Sequence, residues 1–425
     1  MKTPRLRPFQ TGVVTVAAVV LLSALLPLAP VRDAATLGLV PEVTLHRPMA
    51  YVAMAPVSNV LDVLTLFTVR QHIALLLTII VCYGIWWWRA GRLTLRALPP
   101  TRRALREIAR LGVGLVVWLA VYLGVTIMPR PMAQLEPASD IVAVDFHAHT
   151  KYSHDGRSDW TAEDVRAWHR DAGFAVAYIT DHRTFEGARA GWANNPQTAG
   201  TGTTLLPGIE VVWRGEHVNV LDADRMYQGI LTDDLRDIDE KALAMASVLP
   251  KNEPVVIETL PGNPDKALAA DGSGTAGIRA IELIDGSPRG LGQTRRERAS
   301  IVHRADSLNL ALVAGSDHHG WGHTAAGWTL ISLTDWRGMG PEDLSVQISR
   351  IFRAGGRGST RVVERVIADT DGPIALPFTV PLVAWKMFRT LSGDERIVWL
   401  AWLAMLYLLW HLRESRLRDR LTRAA

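Results

Sequence analysis

Cysteine is almost absent from this chain: of 425 residues one is cysteine, Cys82, and it lies within an apolar run. No disulfide framework can form, so a small cystine-stapled scaffold is excluded and nothing here reports the redox state of a compartment. A phosphate-cradling glycine loop is also missing. The glycine-rich stretch "AGGRGST" at 354–360 lacks the P-loop spacing, and no lysine follows it. Residues 140–360 contain no nucleophile elbow, so neither a serine nor a cysteine nucleophile is indicated. There is no internal repeat and no low-complexity tract.

What the chain has in excess is long apolar runs. Residues 11–30, 71–88, 111–129 and 396–412 are each of roughly the length that crosses a bilayer. Lys2, Arg5 and Arg7 precede the first run, as in a signal peptide, but the run is long for one and further spans follow. Arg89, Arg92, Arg96, Arg102, Arg103, Arg106 and Arg110 lie between the second and third runs, and Arg413, Arg416, Arg418, Arg420 and Arg423 follow the last. Basic flanks stay in the cytoplasm. The expectation is an integral protein of the bacterial inner membrane with its middle domain outside, in the periplasm. Two weaker apolar stretches, 50–69 with Pro56, Asn59 and Asp62, and 374–388 with Pro377 and Pro381, read as interfacial or re-entrant pieces. Trp86, Trp87 and Trp88 read as an interfacial anchor at a span end. The expected division is a membrane region at 1–139, a hydrolase domain at 140–360, and a linker, final span and basic tail at 361–425.

Within 140–360 strand-like and helix-like segments alternate, which points to an α/β fold of barrel type. "TAEDVRAWHRDAG" reads as a helix with Thr161 as N-cap and Gly173 at its stop. Four apolar runs end in potential metal ligands: "IVAVDFHAHT" at His147 and His149, "AVAYITDH" at His182, "LLPGIEVV" at Glu210, and "ALVAGSDHH" at Asp317 and His319. Parallel α/β barrels build their sites at the C-terminal ends of strands. Imidazole plus carboxylate is a ligand set for zinc, manganese or iron, ions that activate water at neutral pH.

In combination and in order, "DFHAHTKYSHDG", "AYITDH", "LPGIEVV", "PGNP", "IELIDG" and "GSDHH" resemble the PHP family, the phosphoesterase domain shared by histidinol phosphatases and bacterial replicative polymerases. The resemblance covers about residues 141–360. It implies a distorted seven-stranded β/α barrel, flanked here by transmembrane helices, with two or three divalent ions (Zn, Mn or Fe). Carried over, it places one ion on His147, His149, Glu210 and Asp317. A second falls on Asp155, His182 and His319, and a third on Glu210 and His217. The chain departs from the family at the third ion: Leu260 precedes "PGNP" where a histidine is common, and Glu258 would need a bulge to replace it.

Other residues carry plainer expectations. His154 is a solvated neighbour of Asp155, and His169 and His303 are ordinary helix residues. His318 turns away from the ligands beside it. His323 reads as a loop histidine close to the substrate region. Asp181 and Glu282 support ligands from behind. Lys151, Arg183, Arg214 and Arg289 follow strand ends, with Arg183 and Lys151 the expected substrate contacts. The reading is a membrane-anchored, metal-dependent phosphoric ester hydrolase acting on a phosphorylated small molecule or a lipid-linked phosphate, with no nucleic-acid partner and no catalytic residue separate from the ligands. A metal-dependent amide or ester hydrolase, and a non-catalytic sensory or scaffold domain, are the alternatives.

Overall fold

The structure, a computed structural model, describes residues 8–91, 99–182, 184–213, 216–221, 255–259, 278–367, 370 and 372–424. The chain starts with helix α1 (Pro8–Ser23), followed by short strands β1 (Val31–Asp33) and β2 (Val43–His46) and two short helices, α2 (Met49–Ala53) and α3 (Ala55–Thr65). Two long helices come next, α4 (Val69–Trp86) and α5 (Pro100–Ile127), and then β3 (Gln134–Pro137).

The α/β part opens with β4 (Ile141–Ala148), α6 (Ala162–Ala172), β5 (Val176–Ile179) and α7 (Glu186–Ala193). It continues through β6 (Thr204–Trp213), β7 (Glu216–Leu221), β8 (Val256–Glu258) and β9 (Ile278–Asp285). After α8 (Arg295–Leu308) come β10 (Ala311–Gly315), β11 (Gly327–Ser332), α9 (Pro341–Gly355) and β12 (Arg361–Arg365). The described chain ends with α10 (Thr379–Arg389) and α11 (Gly393–Ala424). Local chemistry sets the element ends. Thr161 caps α6 by accepting the Asp164 N–H at 3.2 Å, Asp164 returns the bond to the Thr161 N–H at 2.8 Å, and Gly173 ends the helix at φ 89°.

The main sheet has ten strands where seven were expected, in the order β1-β12-β11-β4-β5-β6-β7-β8-β9-β10. The stretch from β4 to β10 contains seven of them in chain order, and it curls until its last strand meets its first. There the Asp317 N–H donates to the His147 carbonyl at 2.8 Å and the His149 N–H to the His318 carbonyl at 3.1 Å. β7 runs antiparallel to both its neighbours, while the other pairs in this arc are parallel. The additional strands β11, β12 and β1 form an antiparallel extension on the free edge of β4, an edge that would otherwise expose unpaired backbone groups. Strands β1 and β12 lie outside the 140–360 limits read from the sequence. Val142, Val144, Phe146, Val176, Tyr178, Leu206, Leu221, Ile257, Ala280 and Val313 fill the enclosed side of the arc.

On the other side of the molecule, α4, α5 and α11 are long and apolar enough to cross a membrane. The run expected at 11–30 is helical only over Pro8–Ser23, because Ser23 Oγ bonds the Val20 and Phe388 carbonyls and prolines 27 and 30 follow. α1 lies antiparallel to α11: Phe9 stacks on Trp410, while Val20 packs on Phe388 and Leu391. α4 and α5 are also antiparallel, joined by His72–Tyr122 at one end and Tyr83–Glu107 at the other. Consequently Arg89, Arg102, Arg103, Arg106, Arg110, Arg413 and Arg416 lie at the helix ends away from the sheet. The stretches 50–69 and 374–388 form short helices, α3 and α10, each of 11 residues and too short to span.

α3 carries the contact that joins the two halves. Asp62, 2% exposed, accepts from Arg365 at 2.8 Å, Tyr51 at 2.9 Å, Thr324 at 2.8 Å and Arg130 at 3.3 Å. Beside it Asn59 donates to Glu395 at 2.7 Å, and Arg47 pairs with Glu395 at 2.9 Å. Replacing Asp62 with Ala leaves two buried guanidinium groups without their counter-charge, a loss of about 3–5 kcal/mol. Equilibrium unfolding of the purified chain in micelles should show it; an unchanged midpoint would mean the cluster is not formed.

Candidate metal centre

The centre is assembled at the end of the arc where β4 and β10 meet. A register shift in the β4–β5 ladder between Asp145 and Ala148 re-aims the end of β4. Phe146 and His147 are consecutive, yet both face the enclosed side, while Asp145 points out to His169 on α6 at 2.6 Å. His147 and His149 therefore converge, with their ring centroids 5.0 Å apart.

Glu210, on β6 and 3% exposed, is the hub. One carboxylate oxygen, Oε2, lies 2.9 Å from His147 Nε2, 3.2 Å from His149 Nε2 and 3.5 Å from His182 Nε2. The other, Oε1, lies 2.6 Å from His217 Nδ1. Asp317 Oδ1 closes the first group at 3.3 Å from His147 Nε2 and 3.1 Å from His149 Nε2. Asp155 Oδ2 lies 3.1 Å from His319 Nε2 and 3.5 Å from His182 Nε2. All eight residues expected as ligands are thus in one cluster, and three sets within it have donor atoms close enough to hold an ion: His147, His149 and Asp317; His149, Asp155 and His182; His182, Glu210 and His217.

The residues fit divalent ions. His149 Nε2 and His319 Nε2 are buried and have no hydrogen-bond partner among the described residues, although each lies near a carboxylate. Donors sharing an ion at about 2.1 Å are held about 3.0–3.4 Å from one another, close to the spacings here. The donors are nitrogen and oxygen only, which suits zinc, manganese or iron. Behind them, His147 Nδ1 lies 3.2 Å from Glu282 Oε1, an arrangement that fixes the ring and directs Nε2 inward. Gly315 makes this possible, since a Cβ there would clash with Glu282 Oε1 and His147 Cβ. Asp181 is buried and accepts both the backbone N–H and the hydroxyl of Thr150 at 2.6 Å, holding the turn after His149. Asp317 itself adopts φ 45°, a left-handed conformation uncommon outside glycine and tolerated by aspartate.

Charge and burial act in opposite directions here. Burial pushes the imidazole of His149 down, but the Asp317 and Glu210 carboxylates outweigh it and hold its pKa up at about 10. Burial raises the Glu210 carboxyl, and the surrounding imidazoles, His147 foremost, bring it well below the usual range. His318 is turned away, as expected: its Nε2 lies 3.1 Å from the Gly322 carbonyl, and burial lowers its pKa to about 3.

His154 is exposed beside Asp155, and His303 is exposed on α8. His169 departs from the reading of an ordinary helix residue. It is fully buried and braces Asp145, whose other oxygen accepts the backbone N–H groups of His147 and Ser316. The motif "DFHAH" held that signal: an aspartate two residues before a ligand on a buried strand needs a partner. Lys151 is exposed, with its ammonium 5.2 Å from the Tyr152 ring centre. Arg183, Arg214 and Leu260 lie outside the described residues. Glu258 is buried on β8. A cavity of about 380 Å³ between α8 and residues 32–37 contains none of the ligand residues, so the donor chemistry rather than cavity size locates the site.

No family model matches the chain, and no curated protein matches it. Among solved structures, PsfC from Pseudomonas syringae is 16% identical with a TM-score of 0.37, over 59% of this chain and 98% of PsfC. A two-domain protein from Bacteroides vulgatus, containing a predicted PHP-like metal-dependent phosphoesterase, is 14% identical with a TM-score of 0.32, over 56% of this chain and 70% of its own. The lesion-specific endonuclease Q of Pyrococcus furiosus is 15% identical with a TM-score of 0.38, over 51% of this chain and 57% of its own.

Two measurements test the centre. Replacing His149 with Ala should lower the metal content of the purified protein, read by elemental analysis; unchanged stoichiometry would remove His149 from the ligand set. The second concerns pH. A histidine whose folded pKa is raised to about 10 adds stability that is complete below its unfolded value near 6.5 and disappears as pH rises through 10. The metal-free protein should therefore lose stability between about pH 7 and 10, and saturating zinc or manganese should abolish that slope. A metal-free protein equally stable across this range would contradict the geometry at His149.

Proposed function

We propose that this chain is a membrane-anchored, metal-dependent hydrolase of phosphoric esters, and that His147, His149, Asp155, His182, Glu210, His217, Asp317 and His319 hold its ions. The observation that carries the reading is the sharing of Glu210, whose two oxygens meet imidazoles on both sides. Set between two donor groups, this carboxylate is the residue that would be common to the holding of both ions. Bound there, zinc, manganese or iron would supply Lewis acidity and lower the pKa of water.

The chain's own residues do the positioning. Glu282 orients His147, Asp181 holds the turn after His149, and Asp145 with His169 fixes the backbone of His147 and Ser316. Lys151 and Arg183 are the proposed contacts to the ester's charge. Divalent ions held by these residues would favour an anionic substrate over a neutral amide, by offsetting the charge that otherwise repels a nucleophile.

We place the protein in the inner membrane of a bacterium, with residues 140–360 as the hydrolase domain on the periplasmic side. This is supported by the helix arrangement, in which the arginine-rich ends of α4, α5 and α11 all point away from the sheet. Arginine-rich ends are retained in the cytoplasm. The substrate is then a phosphoester available outside the cytoplasm, and no nucleic acid is required.

The full chain, purified with its metal content measured, should release product from a panel of phosphomonoesters and phosphodiesters. Activity should disappear with chelator and return with zinc, manganese or iron. Turnover of carboxylic esters or amides in its place would assign the centre to acyl chemistry, and a metal-loaded protein inert to every substrate would indicate a binding domain. A cytoplasmic signal from a reporter inserted at Gly200 would reverse the orientation.

A further inference from the structure

Asp317 and His319 reside on the loop between β10 and β11, and this loop goes from the metal centre straight to a membrane helix. Three residues after His319, the Gly322 N–H donates to the Thr126 carbonyl at 2.7 Å. Thr126 is in the last turn of α5. The chain is uncharged from Leu111 to Met128, and Pro129 and Arg130 follow, so the apolar layer ends within about one turn of Thr126. Three residues of extended chain reach at most about 10 Å. The backbone of His319 is therefore on the order of 10 Å from a group at the edge of the hydrocarbon layer.

The contact is fixed. Two residues on, Thr324 donates to Asp62 at 2.8 Å and accepts from Arg130 at 2.8 Å, both on the membrane side of the molecule. Between His319 and Gly322 stands Trp321, 50% exposed. It is held rather than loose. The Arg157 guanidinium lies 5.6 Å from its ring centre and 5.0 Å from that of Trp160, donates to the Gly320 carbonyl at 2.7 Å, and pairs with Asp159 at 2.6 Å. An exposed, orientated tryptophan beside the end of a span belongs to the headgroup layer, where its ring is buried and its N–H stays wet.

From this geometry we infer that the metal centre opens at the lipid headgroups and that its substrate class is the membrane-resident phosphoester, an amphiphile whose phosphate lies at headgroup depth. The inference rests on the phosphoesterase reading and narrows it. For a phosphomonoester, the oxygen of water forms the new bond to phosphorus, the ester P–O bond breaks, and the lipid alcohol leaves carrying a proton. The substrate need not leave the bilayer, and Trp321 marks the depth of the rim, which the Gly322–Thr126 and Thr324–Asp62 bonds hold.

The test has two arms, both on the full chain in phosphatidylcholine nanodiscs. In a Cys82→Ser background, a nitroxide at Trp321→Cys, in protein that retains its metal, is compared with one at Ser332→Cys. Ser332 is opposite Ile141, at the far end of β4. Relaxation by oxygen against a water-soluble nickel chelate should place position 321 at headgroup depth and position 332 in water. Equal exposure of both to the chelate overturns the placement, whatever the activity. In the second arm, phosphate release from dioleoyl phosphatidic acid in the disc is compared with release from glycerol 3-phosphate, the same ester without acyl chains. Shared residence in the bilayer should favour the lipid by about tenfold or more. Equal or faster release from glycerol 3-phosphate, or turnover of the soluble panel alone, overturns the substrate class and leaves the phosphoesterase reading standing. Inactivity toward every phosphoester, with metal bound, overturns that reading, and the substrate class falls with it.

Discussion

One carboxylate, Glu210, has to be buried among imidazoles, and the arrangement of the α/β part follows from that requirement. A carboxylate inside a strand is very costly unless it is paired. Its partners come from both sides: His147 and His149 at the end of β4, His182 after β5, and His217 on β7. These strands are near neighbours of β6 in the sheet, so adjacency alone delivers four rings. Asp317 and His319 come from the other extreme, after β10. They arrive only because the sheet curls and its last strand returns to its first, with backbone bonds between residues 147–149 and 317–318 pinning the join. The centre and the closure of the arc are one structural fact.

The second organising contact is the buried Asp62 cluster. Arg130 follows the long apolar helix α5, Arg365 ends β12, and Thr324 belongs to the loop that also carries Asp317 and His319; all three meet one aspartate on a helix only 11 residues long. A buried ion pair adds little net stability over an apolar replacement, but it accepts few alternative geometries. Its value here is orientation. It sets the end of the arc that carries the histidine and carboxylate cluster against the long apolar helices, through nine residues of loop, 316–324.

Much of the cluster was legible because histidines and carboxylates are chemically distinctive and several follow strand ends, although Glu210 lies inside β6 rather than at its end. Each of the eight expected ligands belongs to the cluster, and the helix cap at Thr161 and three of the four long apolar runs, as helices long enough to cross a membrane, follow from equally local patterns. Other features left no such trace. β1 is three residues long and pairs with β12 more than three hundred residues away, so no periodicity marks it. The ten-stranded count, against seven expected, comes from such edge additions. Asn59 and Asp62 lie in the stretch read as an interfacial or re-entrant piece, and the structure places them in buried contacts with Glu395 and Arg365. His169 looked like an ordinary helix residue, because its partner Asp145 lies on a different element.

The sequence by itself determined the histidines and carboxylates at the cluster, the long apolar runs and their basic flanks, because these depend on residue identity and near neighbours. It also determined the local caps and turns, such as Thr161 and Gly173 at the two ends of α6. Only the tertiary structure decided that Glu210 meets imidazoles on both sides, that β10 closes on β4, that Asp62 joins the long apolar helices to the loop carrying Asp317 and His319, and that Trp321 stands beside the end of α5. Each of these is a meeting of segments distant in the chain. The energy that selects such meetings, the pairing of buried charge and the burial of an exposed sheet edge, exists only once the segments are together.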